Sequence, residues 1–173
     1  MFEVRPVIEL SANEYPMNTP QESNQPAASA GTKNDLYVTK VTASGGRHGH
    51  IRSDDGLLDL KLALPRSLGG KGDATNPEQL FAGGYSACFE NALLRASREA
   101  GLRFADPDVE VTAEVGIRRN DAGTFVLSAA LAIVIAGVDQ KKAEELAEAA
   151  HKICPYSNAI RGNVDVETTV SVR

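Results

Sequence analysis

The chain holds two cysteines, each inside a distinctive string: Asn76-Pro77-Glu78-Gln79-Leu80-Phe81-Ala82-Gly83-Gly84-Tyr85-Ser86-Ala87-Cys88-Phe89 and Cys154-Pro155-Tyr156-Ser157-Asn158-Ala159-Ile160-Arg161-Gly162-Asn163. Two thiols are the minimum for a redox couple, one thiolate to react and a second thiol to resolve the product. Helical spacing puts Phe81, Gly84, Tyr85 and Ala92 on the face of Cys88. Burial on such a face raises a thiol's pKa and leaves it inert unless a cation or hydrogen-bond donors hold the thiolate. Without them, Cys88 is an ordinary occupant of an apolar helix face. Cys154 closes a helix and precedes a proline, which disfavours helical geometry at residue 154. It reads either as a thiol free to move or as a buried helix end.

Arg47, in Gly45-Gly46-Arg47-His48-Gly49, is the candidate cation. Its charge persists when desolvated, and its fork can hold a carboxylate together with a sulfur or peroxide oxygen. Solvation in a hairpin turn is the plainer reading. Glu78 can orient such an arginine, although a carboxylate in a first helical turn is also what the helix dipole favours. Ten residues of straight helix separate Glu78 from Cys88 by ~15 Å. One arginine touching both would therefore require a bend, best placed at Gly83-Gly84. His151, Cys154 and Cys88 form a weak zinc alternative, without a Cys-x-x-Cys motif. Gly69-Gly70-Lys71-Gly72 does not match a phosphate-binding loop, and no Ser-His-Asp motif is visible.

The elements that position these groups follow from capping and periodicity. Leu36 to Ala43 and Leu57 to Leu64 alternate as strands of an antiparallel meander, with turns at Gly45 to Gly49 and Ser53 to Gly56. Asn76 caps a helix, Pro77 suits its first position, and Gln79 completes a capping-box pattern. That helix runs to Ala100 and stops at Gly101. Val109 to Ile117 and Phe125 to Ala136 form a hairpin, the second strand apolar enough to be covered on both faces. Asp139 caps a second helix with Ala143, Leu146, Ala150 and Ile153 on one stripe, ending at Cys154-Pro155. Val164 to Val172 alternates as a last strand. The expected class is α+β, two main helices on antiparallel sheet.

At 173 residues, the chain suits one globular domain, residues 35–173, preceded by an extension. Residues 1–34, with four prolines amid polar residues, read as flexible or loosely packed, although Phe2 to Leu10 could add an edge strand and Met17 could be the true start. A net charge of −5 with no basic run argues against nucleic acid and anionic membrane as partners. Neither a secretory signal nor a ~20-residue apolar span is visible, so the reading is cytoplasmic, where a cycling disulfide suits better than a permanent one.

The two cysteine strings and the Gly45-Gly46-Arg47 turn closely resemble the organic hydroperoxide resistance proteins, a branch of the OsmC-like family, over about residues 35–173. Tyr85 and Tyr156-Ser157-Asn158 favour this branch over the osmotically induced peroxidases. The resemblance implies an OsmC-like fold, an intertwined homodimer with active sites near the subunit interface, and thiol-dependent reduction of organic hydroperoxides. Carried over by position, Cys88 is the peroxidatic residue, Cys154 the resolving one, Arg47 the activating cation and Glu78 its carboxylate. The cycle it implies forms a Cys88 sulfenic acid and then a Cys88–Cys154 disulfide. No bound cofactor is implied; the reductant is an external dithiol, dihydrolipoamide or a lipoylated protein. Phe81, Tyr85 and Phe89 then form an apolar pocket for alkyl or fatty-acyl peroxides. His48 and Ile160 depart from the family's usual residues, outside the proposed catalytic set. The alternatives are a non-catalytic peroxide sensor and a hydrophobic-ligand binding protein.

Overall fold

Asn76 starts the element that carries the first cysteine. Its side chain accepts the backbone N–H of Gln79 at 2.9 Å, and Pro77, which has no N–H to leave unpaired, opens helix α1, Pro77–Glu99. The capping box is half formed, because the Gln79 carbonyl takes the Thr75 hydroxyl instead of reaching back to the cap. Ala100 closes the helix, and Gly101 follows in the left-handed region expected of a stop. The computed structural model describes residues 34–173, of which Thr39–Arg173 form one compact unit. The expected edge strand within Phe2 to Leu10, the alternative start Met17 and nearly all of the 1–34 extension lie outside the described residues.

Among the described residues, two three-stranded sheets accompany three α-helices. The first is an antiparallel meander of β1, Val41–Ser44, β2, His50–Ser53, and β3, Asp59–Lys61. β1 starts at Val41 rather than Leu36. The second joins β4, Val109–Arg119, to β5, Phe125–Ile135, as the expected hairpin, and then adds β6, Val166–Val172, parallel to β5. That direction corrects the all-antiparallel expectation. The chain between β5 and β6 holds α2, Gln140–Ile153, and α3, Pro155–Ile160, and a crossover of that length returns it to the same end of the sheet.

The core lies between this mixed sheet and the helices. Tyr85, Phe89, Ala92 and Leu93 of α1 meet Leu131, Ile133 and Ile135 of β5 and Ala143, Leu146, Ala147 and Ala150 of α2, all buried. Each large apolar side chain so buried contributes ~1.5–3 kcal/mol. Asp139 caps α2 as expected, accepting the N–H of Lys142 at 2.8 Å. β5 departs from its expected coverage on both faces. Ala129, Leu131, Ile133 and Ile135 are buried, whereas Ala132 is exposed. The register explains this: Ala130 lies between Glu114 and Glu167, and Ala132 between Thr112 and Thr169, so small residues fill an otherwise polar outer face. No helix among the described residues is long and apolar enough to cross a membrane.

Candidate active site

The second cysteine sits at a break in the chain. Cys154 is both the last cap of α2 and the first cap of α3, and Pro155 takes the first position of α3. Proline stops α2 because it has no N–H to donate, and it starts α3 for the same reason. α1 brings Cys88 to this joint. The Cys154 Sγ lies 3.7 Å from the Cys88 Sγ, both thiols free, with Cys154 wholly buried and Cys88 partly exposed.

Burial is the main influence on Cys88 and pushes its thiol pKa up. The backbone N–H of Tyr156, at the start of α3, opposes this by donating toward the sulfur, while the adjoining Cys154 raises the pKa further. Tyr156 also explains Gly84. A Cβ at Gly84 would stand 2.6 Å from the Tyr156 hydroxyl, so the missing side chain admits the tyrosine rather than bending the helix. α1 runs unbroken through Gly83 and Gly84. Tyr156 stacks on Tyr85 with ring centroids 6.0 Å apart and meets Phe81 edge-on at 5.7 Å. Of the three expected pocket residues, Tyr85 and Phe89 are fully buried in the core of the single chain, and Phe81 is half-buried beside Tyr156.

Arg47 occupies the short 3-10 turn Gly46–His48, which Gly45 and Gly46 enter with φ of 75° and 55°, values that glycine adopts without penalty. The turn aims the guanidinium at Glu78, 31 residues away, and the two pair bidentately, Nη1 to Oε2 at 2.8 Å and Nη2 to Oε1 at 2.5 Å. The Glu78 side chain is 13% exposed and that of Arg47 34%. The arginine's hydrogen bonds hold the Glu78 carboxyl below its ordinary value of 4.5, and the carboxylate in turn raises the Arg47 pKa.

A depressed folded pKa means that the unfolded chain binds the extra proton first as pH falls. Stability from this pair is therefore complete above about pH 4.5 and lost as pH drops through the lowered folded value. Urea unfolding across pH 3–6 should show this loss in the wild-type protein and not in Glu78→Gln, which has no proton to take up.

The structure thus joins the candidates in two pairs, Cys88 with Cys154 and Arg47 with Glu78. Ten residues separate Glu78 from Cys88 on α1, which is ~15 Å along the axis and about 80° around it. The contacts of Arg47 are with Glu78, and those of the Cys88 sulfur are with Cys154 and the Tyr156 amide. His151, weighed above as a zinc ligand, gives Nδ1 to Ser157 Oγ at 3.2 Å and Nε2 to Thr168 Oγ1 at 3.0 Å. Among the described residues, no group of three or more His, Cys, Asp or Glu is placed to hold a metal ion. Tyr156 and Ser157 escaped the sequence reading as site residues; the signals were the paired glycines at 83–84 and the polar residues one turn either side of Cys154.

The sequence matches the family model described as OsmC-like protein over residues 70–169. It is 44% identical over 133 residues to the organic hydroperoxide resistance protein OhrB of Bacillus subtilis, spanning 76% of this chain and 96% of that one. It is likewise 44% identical over 137 residues to the organic hydroperoxide resistance protein of Xanthomonas axonopodis pv. citri, spanning 79% and 95%. The fold superposes on a crystal structure of an organic hydroperoxide resistance protein from Legionella pneumophila with a TM-score of 0.76 at 51% identity, covering 80% of this chain and all of that one. The chain belongs to the organic hydroperoxide resistance branch of the OsmC-like family.

Proposed function

We propose that this protein is a two-cysteine peroxidase that reduces organic hydroperoxides to alcohols, a reading carried by the 3.7 Å approach of the two thiols. The Cys88 thiolate attacks the terminal peroxide oxygen; an S–O bond forms, the O–O bond breaks, and the departing alkoxide takes up a proton to leave as the alcohol. Cys88 is then a sulfenic acid. Cys154 attacks its sulfur, and the proton of Cys154 leaves with the displaced hydroxide as water. A dithiol such as dihydrolipoamide, free or on a lipoylated protein, reverses the disulfide by exchange. It attacks Cys88, the partly exposed sulfur, because Cys154 is wholly buried. Phe81, in edge-on contact with the Tyr156 ring, packs with Cys88 against the core that holds Tyr85 and Phe89. An apolar border favours alkyl chains, at ~0.8 kcal/mol per methylene buried.

The raised Cys88 pKa leaves the thiolate in need of a cation, and within one chain Arg47 is committed to a carboxylate too far along α1 to supply it. The working protein in this reading is an intertwined cytoplasmic homodimer in which the partner subunit's Arg47 faces Cys88. The exposure of Val41, Leu57 and Leu60 on and beside the first sheet supports such a partner, because a second copy would cover them.

The test is to reduce the protein anaerobically and add one equivalent of cumene hydroperoxide or hydrogen peroxide. Thiol content and intact mass are then followed. Loss of both thiols, a mass decrease of about 2 Da and faster reaction with the organic peroxide are expected. Slow loss without preference would remove the peroxidase reading. One oxidation that dihydrolipoamide cannot reverse would favour a sensor.

A further inference from the structure

The joint at Cys154 is held by side chains where the backbone ladder is interrupted. Pro155 donates no hydrogen bond, so the last carbonyls of α2 find other partners: Arg161 Nη2 donates to the His151 carbonyl at 2.9 Å, and Asn158 Nδ2 to that of Lys152 at 3.3 Å. A second set of contacts ties the joint to the opposing helix. Tyr85 Oη and Ser157 Oγ are 3.0 Å apart, Ser157 Oγ meets His151 Nδ1, and His151 Nε2 meets Thr168 of β6. The spacing centres on the thiols. Tyr85 lies three residues before Cys88, His151 three before Cys154, and Ser157 three after it.

This polar chain runs from the apolar core out to the exposed Thr168 of β6. Tyr85 and Ser157 are buried, and the His151 ring packs edge-on against Phe89 at 4.6 Å. Burial, with Arg161 adding to it, lowers the His151 pKa. A neutral ring accepts at one nitrogen and donates at the other, which satisfies every member of the chain. Cys154 has to close from 3.7 Å to the ~2.05 Å of a disulfide. A competing reaction waits if it does not: the sulfenic acid attacks a second hydroperoxide, gains a second oxygen from the broken O–O bond and releases another alcohol, becoming an irreversible sulfinic acid.

We propose that His151 is a positioning residue for the resolving step, holding the Cys154 joint against the Cys88 helix through Ser157 and Tyr85 so that disulfide closure outruns over-oxidation. The inference rests on the peroxidase reading above. Errors of about 1 Å in placement can cost as much as a hundredfold in rate. His151→Leu, which keeps the bulk and removes both bonds, should slow disulfide closure about tenfold while leaving the first oxidation unchanged.

The experiment adds increasing cumene hydroperoxide to the full-length reduced protein and reads, by intact mass, the disulfide product (about 2 Da lighter) against the sulfinic product (about 32 Da heavier). His151→Leu should reach half over-oxidation at about tenfold less peroxide than the wild-type protein. His151→Asn, whose amide can still meet Ser157, should recover most of the difference, a rescue that a merely structural role would not produce. If His151→Leu does not fold, Ser157→Ala and the surface variant Thr168→Val decide in the same assay, with smaller shifts in the same direction. Unchanged product ratios in the folded variants would overturn the proposal. A wild-type protein that forms no disulfide at all would instead remove the peroxidase reading, and this inference with it.

Discussion

Cys88→Ser should lose organic peroxide turnover by roughly four to six orders of magnitude, the scale of removing an enzyme's nucleophile. The expectation rests on exposure as much as on chemistry, because Cys154 is wholly buried and cannot substitute as the attacking thiol. Cys154→Ser should behave differently. Its Cys88 still accepts one oxygen, so one equivalent of peroxide adds about 16 Da per chain and leaves a sulfenic acid that a dimedone probe captures. The wild-type protein under the same conditions becomes about 2 Da lighter. Intact mass therefore separates the two roles in one measurement. Full turnover by Cys88→Ser would end the mechanism, and a wild-type protein that keeps the 16 Da gain without the 2 Da loss would exclude Cys154 as the resolving residue.

The sequence was readable where a local rule acts alone. Asn76-Pro77 and Asp139 start helices because their side-chain oxygens reach backbone N–H groups three residues on, and both do so in the structure. The direction of β6 was not readable, because Val-x-Thr-x-Val alternation is the same in parallel and antiparallel pairing, and the crossover through α2 and α3 decides it. α3 was hidden behind Pro155, a residue that ends one helix and begins another with equal ease. Gly84 suggested a bend, yet its reason lies 72 residues away in the hydroxyl of Tyr156, a contact no local pattern encodes. At the site, the cysteine strings pointed to the two thiols that meet, and charge complementarity pointed to Arg47 and Glu78. The separation of these pairs along α1 shows only once the helix is seen to run unbroken.

That separation leads to the second large effect. Arg47→Ala should lower the rate of peroxide reduction by about 10²–10³, the cost of removing one preorganised charge partner from a reacting centre. Arg47→Lys should recover little of it, because an ammonium cannot reproduce the bidentate hold on Glu78. Whether the charge arrives from the same chain or from a second copy is decided by mixing two inactive variants. Arg47→Ala retains Cys88, and Cys88→Ser retains Arg47. In the proposed homodimer, refolding the two in equal amounts makes half of the dimers mixed, and each mixed dimer contains one Cys88 facing an intact Arg47 if the residues meet across the interface. Activity should then rise from background to about one quarter of the wild-type value at equal total protein. If Arg47 serves the Cys88 of its own chain, no combination restores a site and the mixture stays inactive. Recovery near one quarter therefore requires a shared site, whereas an inactive mixture, with dimer exchange verified by mass, would return Arg47 to its own subunit and require the Gly45-Gly46 turn to release Glu78 during the reaction.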